Sequence, residues 1–382
     1  MNKNTTTNKT QRTQIAVKNV AFRTVISLVF SIGLSSSALA GSNPPVVYRA
    51  NVGKITIEVD PQVELIGIVF RLAGNPEYND GTLRPYAKAI ERHFGDFDGH
   101  PVVKMATQLR NTRLMSCDGP MSLAVHIDRN LRLRKTTEEW PGTLDYRWEK
   151  QETAEFLEKL RQFAAETKFD EFFKAQSGMY EEGIRSCEDL MAQVNLEKWL
   201  GDFFGIKEYG DLRLVLGFVN GFANYGRRFA DGRTSEKYAI IGMRPFDPAN
   251  TVIFRPMQIG TTVHEFCHSF ANPVVEKYMD RMQPAGEKLF ETHGPAMRMG
   301  GYQKWESIMH ETVVRACVAS FIRHAFEPMY MDYYLKDEAK AGFVWTEDMG
   351  NLLKTYENNR DKYPTFESFF PDFVTFLNEY SK

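Results

Sequence analysis

The sequence predicts a mostly helical α+β fold with a small β-sheet. Apolar residues recur at helical spacing along much of the chain, only two short segments read as strands, and Gly-, Asp- and Asn-rich breaks separate them. The chain has 382 residues, 43% hydrophobic and 25% charged, which fits a folded globular protein and excludes a disordered chain or a multi-span membrane protein. No internal repeat or low-complexity tract interrupts it, and the simplest organisation is a single domain over 41–382, with a subdivision near 205 as the alternative.

The first forty residues are of another kind. Lys3, Lys9, Arg12, Lys18 and Arg23 occur there without an acid, followed by the apolar run "VISLVFSIGL" and then Ala38-Leu39-Ala40. A basic lead, a short apolar core and an Ala-x-Ala end predict a signal peptide over 1–40, cleaved after Ala40, and export to the periplasm or the exterior. The run is about half of the roughly 20 apolar residues needed to cross a bilayer, so no stable membrane span is expected after cleavage. Of 47 basic residues the leader holds five, which leaves 42 against 49 acidic ones. A mildly acidic protein without a basic patch is not expected to bind nucleic acid, whose affinity comes largely from Lys and Arg.

After the leader, "KITIEVD" alternates as a half-buried strand. Asp60-Pro61 is an N-cap with proline at the first helical position, and Val63, Ile66, Val69 and Phe70 keep helical spacing until Gly74. Further helices are expected at about Pro101–Leu109, Glu152–Phe172, Glu188–Phe204, Gly260–Ala271 and Tyr302–His324. Between them, Asn224 to Gly226 reads as a turn. "YAIIG" (Tyr238 to Gly242) is a second strand, either structural or lining a cleft and pairing with an extended peptide. Cys117 and Cys187 lie in polar, turn-like surroundings and are the more plausible disulfide pair, whereas Cys267 and Cys317 fall in apolar helical patterns as buried thiols.

His264, Glu265 and His268 form H-E-x-x-H. On a helix, histidines four residues apart project from one face and can reach a single ion, while Glu265 is rotated aside, placed to take a proton from water without ligating. Val263, Phe266, Cys267 and Phe270 give this helix an apolar face, and Asn272-Pro273 is expected to end it. Zinc suits two neutral imidazoles and a carboxylate that leave one position open.

The third ligand is sought downstream. A metzincin would place Gly at 271 and His at 274, where this chain has Ala271 and Val274, so that class is excluded. "YQKWESIMHETVVRACVASFIRH" offers Glu306, His310 and Glu311 on an otherwise apolar helix. Glu311 is the strongest candidate, because an acid among apolar residues is costly to bury unless paired or metal-bound. Arg315, one turn on, is placed to orient that carboxylate, meet a substrate carboxylate or form a surface ion pair. Candidates for the donor to a tetrahedral oxyanion are Tyr302 and His293, ahead of His310 and His324.

Through "VDPQVELIGIVFRLAGNPEYN", "HEFCHSFANP" and "HETVVRA", the chain resembles a bacterial exported family, domain of unknown function 4932, a zincin-like metallopeptidase group, from about residue 55 onward. The resemblance implies a zincin-like fold with an HExxH active-site helix, a zinc site of His264, His268 and Glu311, and Glu265 as general base. It extends to the gluzincins, many of which carry an Asp four residues after the ligating Glu; here that position is Arg315. The expected activity is zinc-dependent hydrolysis of peptide bonds in a peptide or protein substrate. The alternatives are a non-catalytic zinc-containing scaffold of the envelope and a zinc hydrolase of a non-peptide amide.

Overall fold

The computed structural model describes residues 47–136 and 140–382, so the expected leader lies outside the described residues. Five strands, β1 (Tyr48–Val52), β2 (Ile55–Val59), β3 (Asp211–Gly217), β4 (Asn224–Ala230) and β5 (Ser235–Gly242), form one mixed sheet in the order β1-β2-β3-β5-β4. The helices of the first half are α1 (Pro61–Leu72), α2 (Arg84–Phe94), α3 (Pro101–Arg113), α4 (Asp118–Val125), α5 (Lys150–Glu166), α6 (Phe169–Ala175), α7 (Ser177–Met191) and α8 (Leu196–Phe204). After the sheet come α9 (Pro256–Met299), α10 (Trp305–Ala325), α11 (Pro328–Lys340), α12 (Thr346–Asn358) and α13 (Phe366–Tyr380). The protein is thus a mostly helical α+β fold, and no helix among the described residues is long and apolar enough to cross a membrane.

β1 and β2 form an antiparallel hairpin whose turn uses Gly53 at φ +58, a conformation glycine adopts without steric cost. β2 and β5 flank β3 in parallel, with Ile55 opposite Leu212 and Leu212 opposite Lys237, and β4 closes the sheet antiparallel to β5. The central strands β3 and β5 are largely buried, and "LVLG" and "YAIIG" read as continuous apolar runs for that reason. α7 packs on β1 and β2, while α9 packs on β4 and β5 and carries α10 and α13 against it.

Asp60 does cap α1: its carboxylate accepts from the amides of Gln62 at 2.7 Å and Val63 at 3.2 Å. The same helix buries Glu64 completely, and that carboxylate accepts from the amides of Phe218 and Val219 and from the Tyr86 hydroxyl. An acid on the first helix therefore fixes the turn leaving β3.

Several sequence expectations need correction. The pattern over Glu152–Phe172 is two helices, because Lys168 turns the chain at φ +50. Glu188–Phe204 is likewise divided between α7 and α8. Asn224 to Gly226 is the start of β4, not a turn, and Asn224 Oδ1 accepts from the Gly242 amide at 3.1 Å to pin it to β5. Helix α9 does not stop at Asn272-Pro273 but continues for 44 residues in all through Pro273, Pro284 and Pro295. Phe270, Ala271, Val274 and Val275 are buried across that point, so burial of the apolar stripe outweighs the donor that proline removes.

The expected Cys117–Cys187 disulfide is absent: both are free thiols, Cys117 exposed and Cys187 buried on the apolar face of α7 beside Ile184 and Met191. Polar neighbours in sequence misled, since helical spacing puts Cys187 on the inner face. Cys267 and Cys317 are buried free thiols, as expected.

Candidate metal centre

α9 and α10 pack side by side, and the facing side chains bring His264, His268 and Glu311 together. The two imidazole Nε2 atoms are 3.2 Å apart, and each lies 3.4 Å from a Glu311 oxygen. One donor atom from each of the three falls within 4.8 Å of the others. Tetrahedral zinc with bonds of about 2.1 Å separates its ligand atoms by about 3.4 Å, so two neutral imidazoles and a carboxylate at these spacings fit such an ion and leave a fourth position open.

The surrounding groups prepare these donors. Asn272 Oδ1 lies 3.2 Å from His268 Nδ1, which makes that nitrogen the N–H donor and leaves the Nε2 lone pair for the metal. Asn272, expected to help end the helix, instead sits one turn beyond His268 on the same face; the i, i+4 spacing was the signal that could have found it. Glu311 Oε2 is buried without a well-aligned hydrogen bond, an acceptor left open between His264 and Arg315. Burial works against ionised Glu311, yet His264, His268 and Arg315 hold it well below the usual carboxylate range. Burial likewise opposes a charged His268, but Glu311, Glu265 and Asn272 outweigh it and raise the pKa.

Arg315 lies one turn after Glu311 on α10. It is no surface ion pair: its Nη2 stands 3.0 Å from Glu311 Oε2 and donates to the Tyr302 hydroxyl at 3.0 Å, Nη1 pairs with Glu338 of α11, and the guanidinium lies 4.0 Å from the Phe343 ring. Tyr334 donates to its carbonyl at 3.0 Å. The second half of the site is thus a clamp built by α11 and the segment after it, neither of which any motif marked.

Glu265 is buried beside the triad, with its backbone against β4: a Cβ on Gly226 would come within 2.4 Å of the Glu265 carbonyl oxygen. β4, the edge strand, therefore lies against the HExxH turn. "YAIIG" does not offer a free edge to a peptide, because β5 is hydrogen-bonded on both sides, to β3 and to β4. A cleft of about 520 Å³ opens along His264 and Glu265, walled on one side by Arg244 and Met257 and on the other by α10 and the tyrosines of α11.

Of the remaining candidates, Tyr302 and His310 lie at the triad and the others away from it. Tyr302 sits beside Glu311 and Arg315, where burial and then the Glu311 charge push its hydroxyl pKa up. It is not among the residues lining the cleft, whereas Tyr330, Tyr333 and Tyr334 are. His293 lies in the last part of α9, half-buried, with its ring 5.3 Å from Trp345. His310 is half-buried with Nδ1 unpaired, pushed down to about 4 by burial and the neighbouring His268. His324 is exposed, and Glu306 is half-buried in the first turn of α10.

Comparison with known sequences adds one finding. The profile of a family described as Domain of unknown function (DUF4932) matches residues 55–376. No curated protein and no solved structure matches the chain.

Proposed function

The chain belongs to the DUF4932 family, and from that premise we propose that it is an exported, zinc-dependent peptidase of the gluzincin type. The observation that carries this reading is the convergence of His264, His268 and Glu311 from two helices, with Glu265 between the histidines and a cleft that opens along His264 and Glu265. His264, His268 and Glu311 would hold the zinc, which when bound would supply Lewis acidity to activate a water near neutral pH. A purely structural site would favour four protein ligands and would have no use for a carboxylate in the position of Glu265.

On this reading Glu265 takes the proton of the attacking water on its carboxylate and delivers it to the leaving amine nitrogen. Asn272 keeps His268 in the tautomer that ligates. Arg315 and Tyr302 hold Glu311 in place, and the hydroxyl that meets the developing oxyanion comes from the tyrosines of the cleft wall. The substrate is a peptide or protein, and the leader implied by residues 1–40 sends the enzyme out of the cytoplasm.

Metal analysis of the purified protein, run beside a peptide-library digest for wild type and Glu265→Gln, tests the reading. Both proteins should carry about one zinc per chain, with hydrolysis lost by roughly 100-fold or more only in the variant. Full activity in Glu265→Gln removes the general base; zinc without peptide cleavage by wild type leaves the scaffold or the hydrolase of a non-peptide amide.

A further inference from the structure

Arg244, in the loop that follows β5, lines the same cleft as His264 and Glu265. Its guanidinium is held between aromatic rings, 5.8 Å from Phe222 and 5.1 Å from Phe246, and its hydrogen-bonding contact is with Met257 Sδ at 3.7 Å. No carboxylate pairs with it among the described residues, and burial lowers its pKa with no opposing acid nearby. The acids that line the cleft are already engaged: Glu338 by Arg315, Asp337 by Lys340, and Glu265 near Arg227. A half-buried guanidinium without a counter-ion is a site that an incoming anion completes.

The position along the cleft gives this a scale. Met257, beneath Arg244, and His264 are seven residues apart on α9, two helical turns or about 10 Å, which about three residues of extended chain would cover. Between them Gly260 presents no side chain, and a Cβ there would meet nothing within 4 Å, so the floor of the cleft is open. The first turn of α9 lies at the Arg244 end and adds its own positive potential. Met257 and Tyr333, exposed by 58% and 62%, line the cleft and offer apolar contact for the intervening side chains.

We propose that Arg244 anchors a substrate carboxylate, so that the cleft takes peptides carrying a negative charge, either the C-terminus or an acidic side chain, about three residues from the bond that is cut. This rests on the peptidase reading above, which names no such preference.

Four fluorescein-labelled nonapeptides of one sequence, with a free or amidated C-terminus and an internal Asp or Asn, separate the two sources. Each is titrated by fluorescence polarisation against zinc-loaded Glu265→Gln and against the same protein carrying Arg244→Gln or Arg244→Lys. A carboxylate should tighten binding about 10- to 100-fold, Arg244→Gln should erase that difference while leaving the uncharged peptide unaffected, and Arg244→Lys should restore part of it. Tight binding only of free C-termini assigns the terminal carboxylate; tight binding of the Asp amide assigns a side chain. In the Arg244-bearing protein, Gly260→Leu should fill the floor and weaken all four while retaining zinc. Equal affinity for all four peptides, no binding of any, or a preference that survives Arg244→Gln overturns the anchor. Digestion of the same peptides by wild type keeps the two claims apart. Arg244-dependent binding with no cleavage sinks the peptidase and leaves the anchor; cleavage indifferent to the carboxylate does the reverse.

Discussion

Arg315 sits between two carboxylates, Glu311 and Glu338, and without the guanidinium Glu338 would lose its ion pair and Glu311 would keep only the two histidines. Taking one partner from a buried ionic cluster costs about 3–5 kcal/mol, so Arg315→Ala is expected to destabilise the metal-free protein by that order. Zinc bound at Glu311 would neutralise one of the two acids, and urea denaturation should show a smaller loss with zinc than with a chelator. An equal loss in both conditions means that Arg315 does not support the ligand. Glu64 titrates in the opposite sense to a salt-bridged acid. Burial outweighs the hydrogen bonds from Tyr86 and the Phe218 and Val219 amides, pushing Glu64 up to about 8, against 4.5 for the free side chain. The folded protein therefore holds a proton that the unfolded chain releases, and this contribution to stability is complete below about 4.5 and lost as pH rises through about 8. Unfolding midpoints measured from pH 5 to pH 9 should fall with pH more steeply in wild type than in Glu64→Gln; parallel curves would mean that Glu64 is ionised throughout.

At the level of elements, the approach of β4 to α9 depends on a missing side chain. Gly226→Ala places a methyl group 2.4 Å from a backbone oxygen of Glu265, which cannot swing away as a side chain would. Strand and helix must separate, at about 1–3 kcal/mol by analogy with overpacked cores, and Glu265 must move with the helix. Thermal melting and kcat should fall together; an unchanged variant means that the contact is slack. This contact also marks what could be read from the sequence. α1 was legible because Asp60, Pro61 and a helical stripe agree, and the histidine pair was legible because H-E-x-x-H puts both imidazoles on one face of a helix. β4 was not, since "NYGRRFA" carries glycine and two arginines on an edge strand that local preference reads as a turn. The length of α9 was hidden behind three prolines, each a reliable local stop that packing overruled.

Across the molecule, the class of fold, the three converging residues and Arg315 as a group to orient Glu311 could be read from the sequence, but most groups that complete the site could not. Arg244, Asn272 and Glu338 come from a loop, α9 and α11, and their roles arise only from tertiary placement, to which periodicity is blind. The division near residue 205 falls between α8 and β3, and the sheet draws strands from both sides of it.

Pairing of Ile55 with Leu212 spans more than 150 positions along the chain. A polypeptide made from its amino end must wait for residue 217 before β3 can be inserted, and for both α9 and α10 before the histidines can face their acid. Such distant closures are paid for in loop entropy before any contact rewards them, so assembly of the centre is a late, slow event that follows collapse of the helices in between. Until then one margin of the β1–β2 ribbon stays bare, open to pairing with another copy as the protein matures.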